Sequence, residues 1–152
     1  MSLQTVVDKI LLIDNDTEDC LFFKKALSDV SEHFQLEIVS TFEEMNEKLK
    51  QYLPDIIFLD INMTKKDDGF LCLEELMKHE IHQTIPVIMH SGSSNPVHIA
   101  RAYSTGAHLY FRKPSNYHVL VMGLRKVLEM DWMHPDKVVS EHRETLGYQL
   151  SA

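Results

Sequence analysis

Short continuous apolar runs alternate along this chain with stretches whose apolar residues recur every three or four positions. The first pattern predicts strands buried on both faces, and the second predicts amphipathic helices. Lys9 to Ile13 forms a first strand that stops at Asp14-Asn15-Asp16, with Thr17 as the expected helix cap. Leu21, Phe22, Ala26, Leu27 and Val30 carry a helix to about Ser31, and Leu36 to Val39 makes a second strand. Thr41 and Glu44 fit a capping box, and Met45, Leu49 and Leu53 continue a helix that Pro54 ends. The run Ile56-Ile57-Phe58-Leu59 then ends abruptly in Asp60. After the polar turn 64–69, Phe70, Leu73, Leu76 and Met77 mark a third helix. Pro86 to Met89 is a fourth strand that delivers His90-Ser91-Gly92-Ser93. Asn95-Pro96 opens a helix with Val97, Ala100 and Tyr103 expected inward, and Gly106 closes it. Leu109-Tyr110-Phe111 is a fifth strand running into Arg112-Lys113-Pro114, and Val121, Leu124, Val127 and Leu128 define a long helix.

Five strand–helix alternations with short connections argue a parallel sheet covered by helices on both sides. The pattern weakens after Met130, so we expect one domain over 5–131. An extension, 132–152, follows as a short helix or a loose tail.

Composition narrows the function. A length of 152 residues suits one domain with a substantial core. The net charge of -8 argues against non-specific nucleic-acid binding, which needs a basic surface. No apolar run reaches membrane-spanning length and no signal-like segment opens the chain, so the expectation is a cytoplasmic protein. Cys20 and Cys72 form no Cys-x-x-Cys motif and read as small hydrophobes. His79 and His82 lack zinc-protease spacing and read as surface residues.

In parallel sheets ligands bind outside the carboxyl ends of the strands. Asp14-Asn15-Asp16, Asp60, Ser91 and Lys113 all fall at such ends. Clustered oxygens favour a hard cation such as magnesium, and a lysine beside them favours an anion. A phosphoryl group on Asp60, its oxygens shared by magnesium, Lys113 and the Ser91 hydroxyl, would use every member. Each residue alone has an ordinary structural role; their convergence favours the functional one.

In these residues the chain resembles the receiver domain of two-component response regulators. The matching stretches are Ile10-Leu11-Leu12-Ile13-Asp14-Asn15-Asp16, the run from Asp55 to Met63, Asp68-Gly69-Phe70, Pro86 to Gly92, and Gly106 to Pro114. They stand in family order. Leu53-Pro54-Asp55, Asp60-Ile61-Asn62-Met63 and Trp132 bring the chain nearest to stand-alone regulators of the phytochrome-kinase type. The resemblance implies a flavodoxin-like (βα)5 fold, a doubly wound parallel sheet in the order 2-1-3-4-5. It implies Asp60 as phosphoacceptor, Asp14 in a magnesium pocket shared with position 15, and the Asn62 carbonyl as a metal ligand. It further implies Ser91 and Tyr110 as switch residues, Tyr110 turning inward on activation, and Lys113 as the phosphate contact. The implied partners are a sensor histidine kinase or phosphotransfer protein and a downstream protein target, with homodimerisation open. No DNA-binding or membrane partner is expected, and the protein is not read as an enzyme beyond intrinsic loss of its own phosphoryl group.

Several positions depart from the family pattern. Asn15 stands where an acidic magnesium ligand is usual, so metal binding is expected to be weak, with Asp16 a candidate to compensate. Thr64 replaces a usual proline, the loop 65–68 is longer than usual by one residue, His90 replaces an apolar residue, and Gly92 replaces a small alanine. The rival reading is a pseudo-receiver that docks without being phosphorylated. A hydrolase of the aspartyl-phosphate type is disfavoured, because Asn62 stands where its second catalytic aspartate belongs.

Overall fold

Once helices cover both faces of a sheet, the period-two alternation of a strand sends neighbouring residues into different cores. The computed structural model describes residues 7–142. Its elements are β1 (Lys9–Ile13), α1 (Thr17–Val30), β2 (Gln35–Val39), α2 (Phe42–Leu49), β3 (Ile56–Leu59) and α3 (Asp68–Lys78). They continue with β4 (Val87–Ser91), α4 (Pro96–Thr105), β5 (Leu109–Arg112), α5 (Tyr117–Leu128) and α6 (Pro135–His142). All five strands are parallel, in the order β2-β1-β3-β4-β5. Leu11, Ile13, Ile57 and Leu59 pack with α2, α3 and α4, while Ile10, Leu12, Ile56 and Phe58 pack with α1, α5 and α6. Both parities are buried, which is why these strands read as unbroken apolar runs.

From β1 the chain crosses outward to β2, and from β3 it crosses the other way to β4. That reversal opens a crevice at the carboxyl ends of β1 and β3. The first residues past both strands, Asp14 and Asp60, therefore lie side by side at its mouth.

Several helical details differ from the sequence reading. The cap of α1 is Asp16, not Thr17: its Oδ1 accepts the Asp19 N–H at 2.9 Å. Phe23, Ala26 and Leu27 form the buried stripe of α1, leaving Leu21 and Phe22 exposed. On α4 the inward residues are Ile99, Ala102 and Tyr103, while Val97 and Ala100 face solvent. Both stripes keep i, i+3, i+4 spacing; Ala26, Leu27 and Tyr103 are inward as expected, and only the first residues of each stripe differ. Leu53 lies beyond the end of α2 and is exposed, because the backbone before Pro54 is driven out of the helical region. On α5, Leu120 takes the buried place expected for Val121, which is half-buried.

Other expectations hold in detail. Thr41 Oγ1 accepts the Glu44 N–H at 3.0 Å, and Glu44 Oε1 reaches back to the Ser40 N–H at 2.7 Å. Gly106 ends α4 at φ 125°, where a side chain would also meet Met77. Of the extension, residues 135–142 are helical, and 143–152 lie outside the described residues. Trp132 and Val138 are buried against the α1–α5 layer, and the Trp132 indole donates to the Val127 carbonyl at 2.8 Å. Among the described residues no helix is long and apolar enough to cross a membrane.

Candidate functional site

Hydrogen bonds between strands continue one residue past their ends and hold the site's backbone. The Asp14 N–H donates to the Val39 carbonyl at 3.0 Å, and the Asp60 N–H to Ile13 at 3.0 Å. The Lys113 N–H donates to the Ser91 carbonyl at 2.7 Å. Asp14, Asp60, Ser91 and Lys113 thus sit at one end of the sheet on a fixed frame.

Three carboxylates converge on one cation. Lys113 Nζ lies 2.7 Å from Asp19 Oδ2, 2.8 Å from Asp14 Oδ2 and 3.3 Å from Asp60 Oδ2. Asp14 is 1% exposed and Asp60 8%, so neither carboxylate is well solvated. Burial pushes the Asp60 carboxyl up to about 6; Lys113 opposes the shift and Asp14 adds to it. For Lys113, burial disfavours the ammonium, but Asp60 and Asp14 outweigh it and hold its pKa above the usual lysine range. One ammonium is shared among three carboxylates, while Asp14 Oδ1 also accepts the Asp16 N–H at 2.9 Å and Asp60 Oδ1 the Ile61 N–H at 2.8 Å.

The β3–α3 loop is shaped by residues the sequence reading passed over as turn formers. The buried Asp68 carboxylate accepts N–H bonds from Met63, Thr64 and Lys65 at 2.7, 3.0 and 3.0 Å, and the Thr64 hydroxyl at 2.9 Å. Burial works against its ionisation, yet these donors hold its pKa below the ordinary range. Gly69 approaches the chain so closely that a Cβ would fall on the Asp60 carbonyl oxygen, and its N–H donates to Ile61 at 2.6 Å. Only glycine permits that approach, which packs α3 against the backbone of Asp60. Asn62 Oδ1 accepts the Asp67 N–H at 2.7 Å, so its side chain is committed within the loop.

Ser91 is buried at the end of β4, where its Oγ accepts the Ser93 N–H at 3.2 Å. Tyr110 is fully buried and its hydroxyl donates to the Ser93 carbonyl at 2.8 Å. His90 is enclosed by Phe23, Phe58 and Phe111, and one ring nitrogen lies 3.0 Å from the Phe111 carbonyl. Burial drives its pKa down to about 3, with Lys113 acting in the same direction, so it packs as a neutral ring. Gly92 has open space around its Cα. Cys20 is half-buried and Cys72 buried, and both are free thiols.

Asn15 and Asp16 are both exposed. Asp16 spends its carboxylate on the α1 cap, whereas Asp19, one turn later, reaches Lys113. Its only sequence signal is an acid in the first turn of a helix, which ordinarily needs no more than the helix dipole to explain it.

Acid, hydroxyl and lysine thus stand together at the strand ends of a doubly wound α/β sheet. The family model of the response regulator receiver domain matches residues 10–133, and the chain belongs to that family. The transcriptional regulatory protein CpxR of Escherichia coli is 32% identical over 122 residues, 80% of this chain and 50% of that protein. The sensory transduction protein BceR of Halalkalibacterium halodurans is 28% identical over 120 residues, 79% of this chain and 49% of that one. The chain spans about half the length of such relatives. Among solved structures, the phosphorylated cyanobacterial phytochrome response regulator RcpA aligns with a TM-score of 0.75 at 27% identity, covering 84% of this chain and 95% of its own. The Mn(2+)-bound response regulator Rcp1 aligns at 0.72 and 24% identity, over 82% and 96%, and shares the fold.

Receiver domains generally bind a divalent cation, and the donor chemistry here can accept one. Asp14 and Asp60 are buried carboxylates side by side, and Asn15 and Asn62 follow them in the chain by one and two residues. Magnesium keeps several of its waters and asks for only one or two carboxylates. Among the described residues, no group of three or more His, Cys, Asp or Glu is arranged to hold a metal. The two carboxylates therefore fit magnesium.

Proposed function

We propose that this receiver domain accepts a phosphoryl group on Asp60 from a sensor histidine kinase or phosphotransfer protein, and signals through contact with a downstream protein. The observation that carries this reading is the Asp60 carboxylate at the end of β3, sharing the Lys113 ammonium with Asp14. A carboxylate oxygen of Asp60 attacks phosphorus while the bond from phosphorus to the donor's imidazole nitrogen breaks and the imidazole leaves. Lys113 moves from the carboxylates to the new phosphoryl oxygens, and the Ser91 hydroxyl gives up the Ser93 N–H to donate to another. Bound magnesium, held by Asp14, Asp60, Asn15 and the Asn62 carbonyl, would shield phosphoryl charge during the transfer. The movement of Ser91 is passed through Ser93 to the carbonyl that holds Tyr110. The receiver unit is read as 5–131 and the rest as its extension.

The exposed Asn15 amide and the commitment of Asp16 to a helix cap favour a second reading, a pseudo-receiver that binds no metal. One experiment separates the two. Incubation with acetyl phosphate and magnesium, read by intact mass, should add one phosphoryl group to the wild type and none to Asp60→Asn. Labelling retained in that variant would exclude Asp60 as the acceptor; an unlabelled wild type at saturating magnesium would establish the pseudo-receiver.

A further inference from the structure

We infer that Asp19 is a further positioning residue of the phosphoryl site: it parks the Lys113 ammonium at the α1 rim of the Asp14–Asp60 pair and supplies the negative charge that position 15 lacks. The inference rests on the reading of Asp60 as phosphoacceptor and extends it to a residue on α1.

Geometry carries it. Asp19 makes the shortest of the three contacts to Lys113, 2.7 Å, and its backbone is fixed because its N–H is capped by Asp16. The Asp14 and Asp60 side chains are 2% and 11% exposed, while that of Asp19 is 39% exposed. Lys113 thus bridges from the floor of the crevice to its rim. An ammonium has three N–H donors, and here each has a carboxylate within reach. A cation approaching Asp14 and Asp60 needs oxygens that Lys113 holds, and Asp19 gives the ammonium a place to stay while it releases them. Without Asp19 the ammonium has only the two metal-binding carboxylates to rest on, and the site loses a negative charge as well. Both effects weaken metal binding. An ordinary rim ion pair, worth little and screened by water, would have neither.

The test is calorimetric titration with magnesium, together with the rate of phosphorylation by acetyl phosphate as a function of magnesium. Wild type, Asp19→Asn, Asp19→Glu and the double variant Asp19→Asn/Asn15→Asp are compared. Asp19→Asn should raise the half-saturating magnesium concentration by about five- to tenfold, with a smaller fall in the rate at saturation. Asp19→Glu should recover part of the affinity, and Asn15→Asp in the Asp19→Asn background should recover most of it by restoring the charge. Unchanged half-saturation in Asp19→Asn, in a wild type that is labelled on Asp60, overturns this inference and leaves the proposed function standing. Lost affinity that Asn15→Asp does not recover also overturns it, because the loss is then structural and not one of charge. A wild type that neither binds magnesium nor is labelled removes both readings together.

Discussion

Burial of the Asp60 carboxylate costs the fold stability, and that cost can be measured as a function of pH. In the folded chain its pKa is raised from the ordinary 3.8 to about 6, chiefly by burial. A raised acid stabilises the fold while it holds its proton and loses that contribution as pH rises from the unfolded value through the folded one. The window is therefore about pH 3.8 to 6, and the full difference amounts to about 3 kcal/mol. Asparagine has the shape of the protonated carboxyl and does not titrate. Metal-free Asp60→Asn should thus gain on the wild type with rising pH, by about 1.4 kcal/mol between pH 5 and pH 8, nearly all of it below pH 7. His90, whose depressed pKa withdraws stability as pH falls below the ordinary 6.5, is present in both proteins and cancels in the comparison. Urea denaturation in EDTA, followed through the single tryptophan, Trp132, gives both stabilities at each pH. A stability difference that stays constant from pH 5 to pH 8 would refute the assignment of the raised pKa to Asp60. So would an Asp60→Asn protein that is the less stable one at pH 8.

Gly69→Ala forces a methyl group onto the Asp60 carbonyl, so it should destabilise the fold by about 1–3 kcal/mol and slow labelling by acetyl phosphate more than it weakens magnesium binding. Denaturation and mass kinetics check the two parts separately. Trp132→Ala should cost about 3–5 kcal/mol, because it empties a buried site and leaves the Val127 carbonyl without its indole donor. Melting curves at matched concentration decide this; a loss under 1 kcal/mol would mean that the extension is not docked on the α1–α5 layer.

The fold was legible because β1, β3 and β4 are short apolar runs bounded by polar turns, and because its helices recur at fixed intervals. Helix faces were less so. Leu21 and Phe22 on α1 are as apolar as the buried Phe23, and only packing against the sheet says which of them points inward. At the site, Asp14, Asp60, Ser91 and Lys113 stood out because each follows an apolar run. Asp19 could not, since an acid in a first helical turn looks the same whether it faces water or an ammonium. Asp68 and Gly69 were visible as a turn and as part of a family stretch. What they do, caging a loop and admitting a backbone, depends on which chain segment returns to them.

Lys113 joins two very different degrees of constraint. Its peptide N–H is anchored to the neighbouring strand at Ser91, while its ammonium is reached through a flexible stem of four methylenes. A change of charge in the crevice can therefore be met by torsions of that stem alone, with the β5–α5 connection left where it is. Torsions of a single side chain are smaller motions than loop and domain rearrangements, which take microseconds or longer. The residue works as a swinging arm on a fixed post. The ammonium can shift among Asp14, Asp60 and Asp19 without moving the strand that carries it.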